Sequence, residues 1–191
     1  MTKLEALLAD LTSGDETRAE GAVPGLVELG SEAFPALRDL LNSADADQRW
    51  WALRTLAQSP QAQTEWLLPF LNDPVPEVRQ AAALGLSGHP AEAAISPLIR
   101  ALSDADSMVS GLACNALVEI GKPAVPALLE MPKDVPQMAR INAIRALAEI
   151  ADHSAIPALM AALEDDSVMI QHWAEEGLER LGLDMIYLKP E

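Results

Sequence analysis

Cysteine is almost absent from this chain, and its scarcity excludes two kinds of site. The single cysteine, Cys114, has no second thiol for an internal disulfide and cannot by itself supply a cysteine metal cluster. A nucleophilic thiol would also need a base beside it, and the spacing of the sequence identifies none. We therefore interpret Cys114 as a small residue at the flank of the core.

Basic residues are scarce as well. Thirteen lysines and arginines stand against 29 acidic residues, which gives a formal net charge of −16. Binding to nucleic acid or anionic lipid depends on cationic side chains that neutralise phosphate. The charge balance therefore argues against both kinds of partner.

Long apolar runs are also missing. No run approaches the roughly 18 residues that a membrane span needs. Residues 1–11 carry acid at Glu5 and Asp10 and have no long apolar core, so they predict an amphipathic helix and not a signal peptide. We expect a soluble, cytoplasmic protein without a membrane partner.

What the sequence does contain is a repeat of 30 or 31 residues. A small residue follows the repeat mark by three places in every unit, and leucine follows it by seven places in five units of six. A period of this length is typical of stacked helical repeats, each of which buries its apolar face against its neighbours. The repeat mark falls at Arg18, Arg49, Arg79, Ser110, Arg140 and Gln171.

Each unit is predicted to contain two helices separated by an acidic turn. Proline is tolerated in the first turn of a helix, and it opens the first helices predicted at 32–41, 94–102, 124–131 and 155–163. Asp or Ser in the turn then caps the second helix, which is predicted to begin near Gln48, Glu77, Met108, Gln137 and Val168. Glycine or a turn residue ends it, as at Gly88, Gly121 and Gly182.

Two parts of this pattern are irregular. In the first unit, Gly21, Pro24 and Gly25 are expected to weaken or kink the second helix. In the third unit, Trp66 takes the place of the proline in the first helix, and we predict that its ring lies in the core.

The segments DPVPEVRQAAALGL at 73–86 and HSAIPALMAALEDD at 153–166 resemble the HEAT-like repeat first named for phycobilisome lyases. The resemblance implies an all-α, right-handed α-solenoid of about six helix-hairpin repeats in one domain, 1–191. The repeats are expected at 1–30, 31–60, 61–90, 91–121, 122–152 and 153–182. A cap at 183–191 is expected to follow, in which Ile186, Tyr187 and Leu188 fold over the end of the stack.

Successive residues of a helix are rotated by ~100° about its axis. The residues one and five places after the repeat mark therefore point away from the apolar face of the second helices. In the family that the chain resembles, second helices line the concave side, so these places are predicted to form a continuous inner stripe. The predicted partner-binding residues in it are Trp50, Arg54, Gln80, Leu84, Asn115, Ile141, Arg145, His172 and Glu176. Ala19, Val23 and Gly111 complete the stripe. Trp51 and Trp173, one place further along, are predicted to pack between helices.

The leading hypothesis is a non-catalytic scaffold that binds a protein segment on its concave face. Trp50, Leu84 and Ile141 lie where a solvated face would carry charge, and Trp and Arg are frequent interface hot spots. The two stripe arginines would orient an acidic or carboxylate-bearing partner. We expect a monomer or weak homodimer without a cofactor. The alternative is that tight curvature packs these side chains against one another.

Metal binding and catalysis have little support in the sequence. His172 and Glu176 are four residues apart on one helix face, a spacing that suits two metal ligands, but two ligands do not make a site. His89 and His153 lie far along the chain. We predict no catalytic, cofactor-binding or metal-binding residues.

The resemblance also implies a hypothesis of another class, a bilin lyase or a chromophore-handling protein. The two propionates of an open-chain tetrapyrrole would meet Arg54 and Arg145 while its rings rest on Trp50, Leu84 and Ile141. Lyases of this kind generally work as two-subunit assemblies, which argues against a short stand-alone array. A third possibility is a structural subunit that self-associates through the apolar ends of the stack.

Overall fold

The computed structural model describes residues 1–132 and 134–183, and every regular element within them is helical. Over these residues no single helix is long and apolar enough to cross a membrane. One pair, Ser107–Ile120 with Lys122–Leu129, reaches that length and composition together, but the two segments are bent by 117°.

Twelve α-helices occupy most of the described residues. They are α1 Lys3–Leu11, α2 Glu16–Leu29, α3 Phe34–Leu41, α4 Ala46–Ala57, α5 Thr64–Leu67, α6 Pro76–Gly88, α7 Ile95–Ala101, α8 Ser107–Ile120, α9 Val125–Leu129, α10 Gln137–Ile150, α11 Ile156–Ala162 and α12 Val168–Arg180. Short 3-10 segments lie at Gly30–Glu32, Leu68–Asn72, Glu92–Ala94, Lys122–Ala124 and His153–Ala155.

The predicted alternation of first and second helices is confirmed. The long helices α4, α6, α8, α10 and α12 begin within two residues of the predicted starts. Acidic caps explain two of these starts, because Asp45 accepts a hydrogen bond from the backbone N–H of Asp47 and Asp106 accepts from those of Met108 and Val109. Helix α5 is short because the chain tightens into a 3-10 segment around Pro69, which has no N–H to donate.

The chain divides into two compact units, Met1–His89 and Pro90–Glu191. In the first unit, α4 packs between α2 and α6. Helix α3 lies against α4, and α5 lies against α6. In the second unit, α10 packs between α8 and α12, and α7, α9 and α11 each lie against the long helix that follows. Each unit thus has a layer of first helices and a layer of second helices. The predicted single domain over 1–191 stays a prediction.

The core of each unit is built from the small residues and leucines that the repeat predicts. Of the leucines seven places after the repeat mark, none is more than 1% exposed: Leu56, Leu86, Leu117, Leu147 and Leu178. The alanines three places after the mark let neighbouring helices approach, and Ala52, Ala82, Ala113 and Ala174 are fully buried. Cys114 is also fully buried, which confirms its interpretation as a residue of the core region.

Arginines at the repeat mark link their helices to neighbouring turns, and Arg49 shows this most fully. Arg49 donates to the backbone carbonyls of Ser43 and Ala44 and makes a two-bonded ion pair with Asp73 at 2.8 and 2.9 Å. Arg140 also pairs with the aspartate of the next repeat's turn, Asp165, through one hydrogen bond. Gln171, which replaces arginine in the last repeat, still donates to the carbonyl of Asp165 at 2.7 Å. The repeated arginine therefore stabilises the packing of adjacent repeats.

The first repeat departs from the predicted pattern in two ways. Helix α2 runs through Pro24 without ending, and Gly25 lets α1 approach so closely that an added Cβ would lie 2.9 Å from Leu7. Ala19 and Val23, predicted to face the stripe, are each only 1% exposed. The reason is that Leu26 comes one place late, which rotates the buried face of α2 by about one residue.

One other prediction also changes. Trp66 is half-buried and not a core residue, because it lies on the outer side of α5 against Phe34 and Arg38. The cap residues Ile186, Tyr187 and Leu188 lie outside the described residues.

Candidate functional site

Two clusters on the second helices each place an arginine over an indole ring. The first cluster comprises Trp50, Arg54 and Glu20, from helices α4 and α2. Arg54 lies 5.6 Å from the centroid of Trp50 and makes two hydrogen bonds to Glu20, at 3.0 and 2.7 Å. Trp51 contacts Trp50 edge-on, with ring centroids 4.7 Å apart. This arrangement holds both rings and the guanidinium in fixed positions.

The carboxylate of Glu20 neutralises Arg54 in the first cluster. The hydrogen bond from Arg54 lowers the pKa of Glu20, and the same bond raises the pKa of Arg54 above its ordinary value. Both groups are therefore charged at neutral pH. A carboxylate of a partner would therefore have to compete with Glu20 for Arg54.

The second cluster comprises Asn115, Arg145, Glu149 and Trp173, from helices α8, α10 and α12. Arg145 donates to Glu149 at 2.7 Å and to the side-chain oxygen of Asn115 at 2.8 Å, and lies 5.5 Å from the centroid of Trp173. Burial lowers the pKa of Arg145, but the hydrogen bond to Glu149 and the negative charge nearby together outweigh burial, so the net shift is upward. Arg145 therefore connects three successive second helices and stays charged.

The guanidinium of Arg145 has donors to spare. A guanidinium carries five N–H groups, and the described residues accept from Nε and Nη2 only. The half-buried indole of Trp173 beside it limits access of water to one face. The cluster can therefore hold a carboxylate next to a flat apolar group.

Cys114, close to this cluster, has no nucleophilic character. Its thiol donates to the carbonyl of Asn142 at 3.2 Å, and burial raises its pKa to about 12. At neutral pH the thiolate, which is the reactive form, is almost absent. The amide nitrogen of Asn142 is buried without a hydrogen-bond partner.

The other predicted stripe residues are spread over both units. Gln80 is half-buried, and Leu84 is 54% exposed. Ile141 packs against the buried cluster of Ala162, Ile170 and Ala174, so part of its side chain belongs to the core. His172 is exposed beside Trp173, and Glu176 accepts from Arg180 at 3.2 Å. The continuity of the stripe stays a prediction.

Sequence reasoning missed the two carboxylates that hold the arginines. Glu149 had a local signal, because it follows Arg145 by four residues on the same helix, a spacing at which side chains meet. Glu20 lies 34 residues before Arg54 and had no such signal.

No group of three His, Cys, Asp or Glu side chains that could hold a metal ion occurs within 1–132 and 134–183. The pair His172 and Glu176 thus gains no third ligand there.

Comparison with known proteins assigns the family. The family model described as HEAT repeats matches residues 64–137 and 125–185, which together cover more than half of the chain. This chain is a HEAT-repeat protein. The predicted fold class, an all-α solenoid of HEAT-like repeats, is confirmed.

Curated relatives of this HEAT-repeat protein come from Synechococcus and Nostoc. A Phycobilisome maturation protein of Synechococcus elongatus is 38% identical over 105 residues, which are 54% of this chain and 50% of that protein. A Phycocyanobilin lyase subunit beta of a Nostoc species is 38% identical over 90 residues, which are 47% of this chain and 45% of that protein. The chain thus spans about half the length of the curated relatives it matches.

Solved structures support the fold alone. The complex of CpcE and CpcF of phycocyanin lyase from Nostoc matches with a TM-score of 0.54 and 23% identity, over 95% of this chain and 78% of that one. A designed armadillo repeat protein in complex with a peptide matches with a TM-score of 0.55 and 21% identity, over 94% of this chain and 100% of that one.

These relatives correct the leading functional hypothesis. The prediction of a non-catalytic interaction scaffold is wrong, because the curated relatives are named for phycobilisome maturation and phycocyanobilin lyase activity. The alternative hypothesis, implied by the resemblance to HEAT-like lyases, agrees better with those names.

Proposed function

We propose that this HEAT-repeat protein handles a bilin as a chain of the phycobilin lyase type, which attaches the pigment to an acceptor protein. The observation that carries the proposal is the 38% identity to a Phycocyanobilin lyase subunit beta over 90 residues. A Bilin biosynthesis protein of a Synechococcus species, 35% identical over 83 residues, points to the same class of ligand.

The second cluster is the proposed pigment contact in the unit Pro90–Glu191. A bilin carries two propionate groups on a flat conjugated system. Arg145 has free N–H donors for one carboxylate, and the adjacent indole of Trp173 offers a face for a pyrrole ring. Ile141, His172 and the paired Glu176 border this surface on α10 and α12. Glu149 keeps Arg145 in place and charged while the ligand binds.

Attachment is proposed to need a second polypeptide. The Nostoc relative is named as one subunit of its enzyme, and this chain spans about half of that relative's length. The first cluster offers the pigment less, because Glu20 accepts both hydrogen bonds of Arg54, whereas Glu149 accepts one from Arg145 and the neutral Asn115 accepts the other. Trp50, Gln80 and Leu84 stay predicted contact residues without an assigned ligand.

Pigment binding is tested by titrating the purified chain with phycocyanobilin and with its dimethyl ester, in which both carboxylates are blocked. We expect a shift in visible absorbance, induced circular dichroism, and about tenfold tighter binding of the free acid than of the ester, since a charge-assisted hydrogen bond is lost with esterification. Arg145→Gln should reduce the affinity for the free acid to that for the ester.

Arg100→Gln is the matched control, because it removes the same charge from an exposed side chain on α7. It should leave both affinities unchanged. No spectral change with the wild-type chain would overturn pigment binding. If Arg145→Gln still binds the free acid more tightly than the ester, by the same factor as wild type, pigment binding would stand. Its placement at the second cluster would be overturned.

Covalent attachment is tested by adding an apo-phycobiliprotein subunit to the loaded chain, with and without a partner lyase subunit. Zinc-enhanced fluorescence of the acceptor in a denaturing gel reports the bond. We expect a fluorescent acceptor only when both lyase chains are present. Attachment by this chain alone would contradict the need for a partner.

A further inference from the structure

The unit Met1–His89 has a surface cleft whose lining differs from that of the proposed pigment site. The cleft has a volume of about 670 Å³ and lies between α3 and the segment from α5 to Asn72, lined by the half-buried rings of Phe34, Trp66 and Phe70. The chain has only four tryptophans, two phenylalanines and one tyrosine. Both phenylalanines and one tryptophan are therefore gathered in this cleft, on the layer of first helices.

Trp66 departs from the repeat at this place. It directly precedes Leu67, which is fully buried. The residues that directly precede the equivalent buried leucines of the other first helices are small or proline: Ala36, Pro97, Ala127 and Ala158. Four other repeats thus form their first helices without a tryptophan at this position, so the fold does not require one here.

Arg38 is a second departure from the repeat pattern, and it contacts Trp66. It directly follows the buried Leu37, where the other first helices carry apolar residues: Leu68, Ile99, Leu129 and Met160. Its guanidinium lies 5.3 Å from the ring centroid of Trp66, and Phe34 contacts the same ring edge-on at 5.0 Å. Two residues that depart from the repeat pattern, one from each of two successive repeats, are therefore brought together in one cleft.

The charge of Arg38 is not satisfied by the neighbouring acids. Asp39 and Glu65 line the same cleft, yet Arg38 forms no ion pair with a carboxylate among the described residues. A stacked guanidinium keeps its N–H donors in the plane of the group, where a carboxylate can accept two of them. The cleft thus combines an apolar aromatic wall with an open carboxylate-binding group.

We infer that this cleft docks a protein segment that carries a large apolar side chain next to one carboxylate. The aromatic wall takes the apolar side chain, and Arg38 takes the carboxylate; Trp and Arg are the residue types enriched at the centres of protein interfaces. Asp39 and Glu65 at the rim repel further acids, which favours a segment with a single carboxylate. The inference goes beyond pigment handling and does not depend on it.

The test uses the full ¹⁵N-labelled chain and two capped peptides, acetyl-Ser-Phe-Glu-Leu-Ser-amide and its glutamine analogue. The indole N–H signal of Trp66, assigned by its loss in Trp66→Phe, reports binding at millimolar peptide. We expect the glutamate peptide to bind about fivefold more tightly than the glutamine peptide, as for an exposed charge-assisted pair. Arg38→Gln should abolish this preference, and Arg100→Gln should keep it.

Trp66→Ala, which introduces the residue found at Ala36, removes the indole signal, so binding to this variant is followed by the backbone amide signals of the cleft. It should weaken binding of both peptides while the chain stays folded by circular dichroism. Three results would overturn the inference. They are an unmoved Trp66 signal, a glutamate preference that survives in Arg38→Gln, and a concentration-dependent shift of the signal without peptide, which would assign the cleft to self-association. Displacement of the peptide by phycocyanobilin would also overturn the inference, because the cleft would then belong to the pigment.

Discussion

Asp73 is a carboxylate that the fold has almost removed from water, with only 6% of its side chain exposed. Burial raises its pKa, but hydrogen bonds from Arg49 and from the backbone N–H of Val75, together with the charges of Arg49 and Arg79, outweigh burial, so the net shift is downward. A folded pKa below the unfolded value of about 3.9 gives stability that is present above that pH and is lost as the pH falls through the folded pKa.

Asp73→Asn should therefore lower the free energy of unfolding at pH 7 by about 3 kcal/mol, because it leaves Arg49 largely buried without its counter-ion. Urea unfolding followed by circular dichroism measures the change. The difference from wild type should begin to shrink below about pH 4, where Asp73 takes up a proton in the unfolded chain, and continue to shrink as the pH falls through the lower pKa of the folded chain. Glu28→Gln is the control: its pair with Lys3 is exposed, so little change is expected. Equal losses in the two variants would refute the argument.

At the scale of the helix, glycine has opposite roles in α12 and α8. An added Cβ at Gly177 would lie 2.8 Å from the Cα and the Cβ of Ala148, so α12 would have to move away from α10. An added Cβ at Gly111 would meet nothing within 4 Å. The same substitution should therefore change stability in opposite directions.

Gly177→Ala should lower the free energy of unfolding by about 1–3 kcal/mol through overpacking. Gly111→Ala should raise it by roughly 0.5–1 kcal/mol, because alanine restricts the unfolded chain and favours helix. Both values come from urea unfolding of the full chain. A stabilising Gly177→Ala would show that the contact between α10 and α12 is looser than the geometry indicates.

At the scale of the whole molecule, the net charge of −16 works against compactness. Like charges repel one another in the folded chain, and salt screens that repulsion over a distance of about 10 Å at 0.1 M. Raising sodium chloride from low to moderate concentration at pH 7 should therefore raise the melting temperature. The effect should vanish near pH 4.4, the isoelectric point of the sequence, where net repulsion is absent. A melting temperature that falls with salt at pH 7 would mean that ion pairs such as that of Arg49 outweigh the repulsion.

The sequence by itself determined the helices and their buried positions. A helix is held by hydrogen bonds between residues four apart, and its buried face recurs with the helical period, so both are legible along the chain. The repeat therefore located the long helices, the buried leucines such as Leu117 and the acidic caps such as Asp106. Leu26, which lies one place later than the repeat predicts, indicated that the buried face of α2 is rotated. The burial of Ala19 and Val23 was nevertheless not predicted from it.

Only the tertiary structure decided which side chains meet between helices. That outcome depends on the distance and rotation between neighbours, which vary with each turn and are not local properties of the chain. Glu20 reaches Arg54 across 34 residues, and Arg38 reaches Trp66 across a stretch of chain that includes the whole of helix α4. The two stripe arginines therefore looked alike in the sequence. Glu20 binds Arg54 through two hydrogen bonds, whereas Glu149 and Asn115 each take a single one from Arg145.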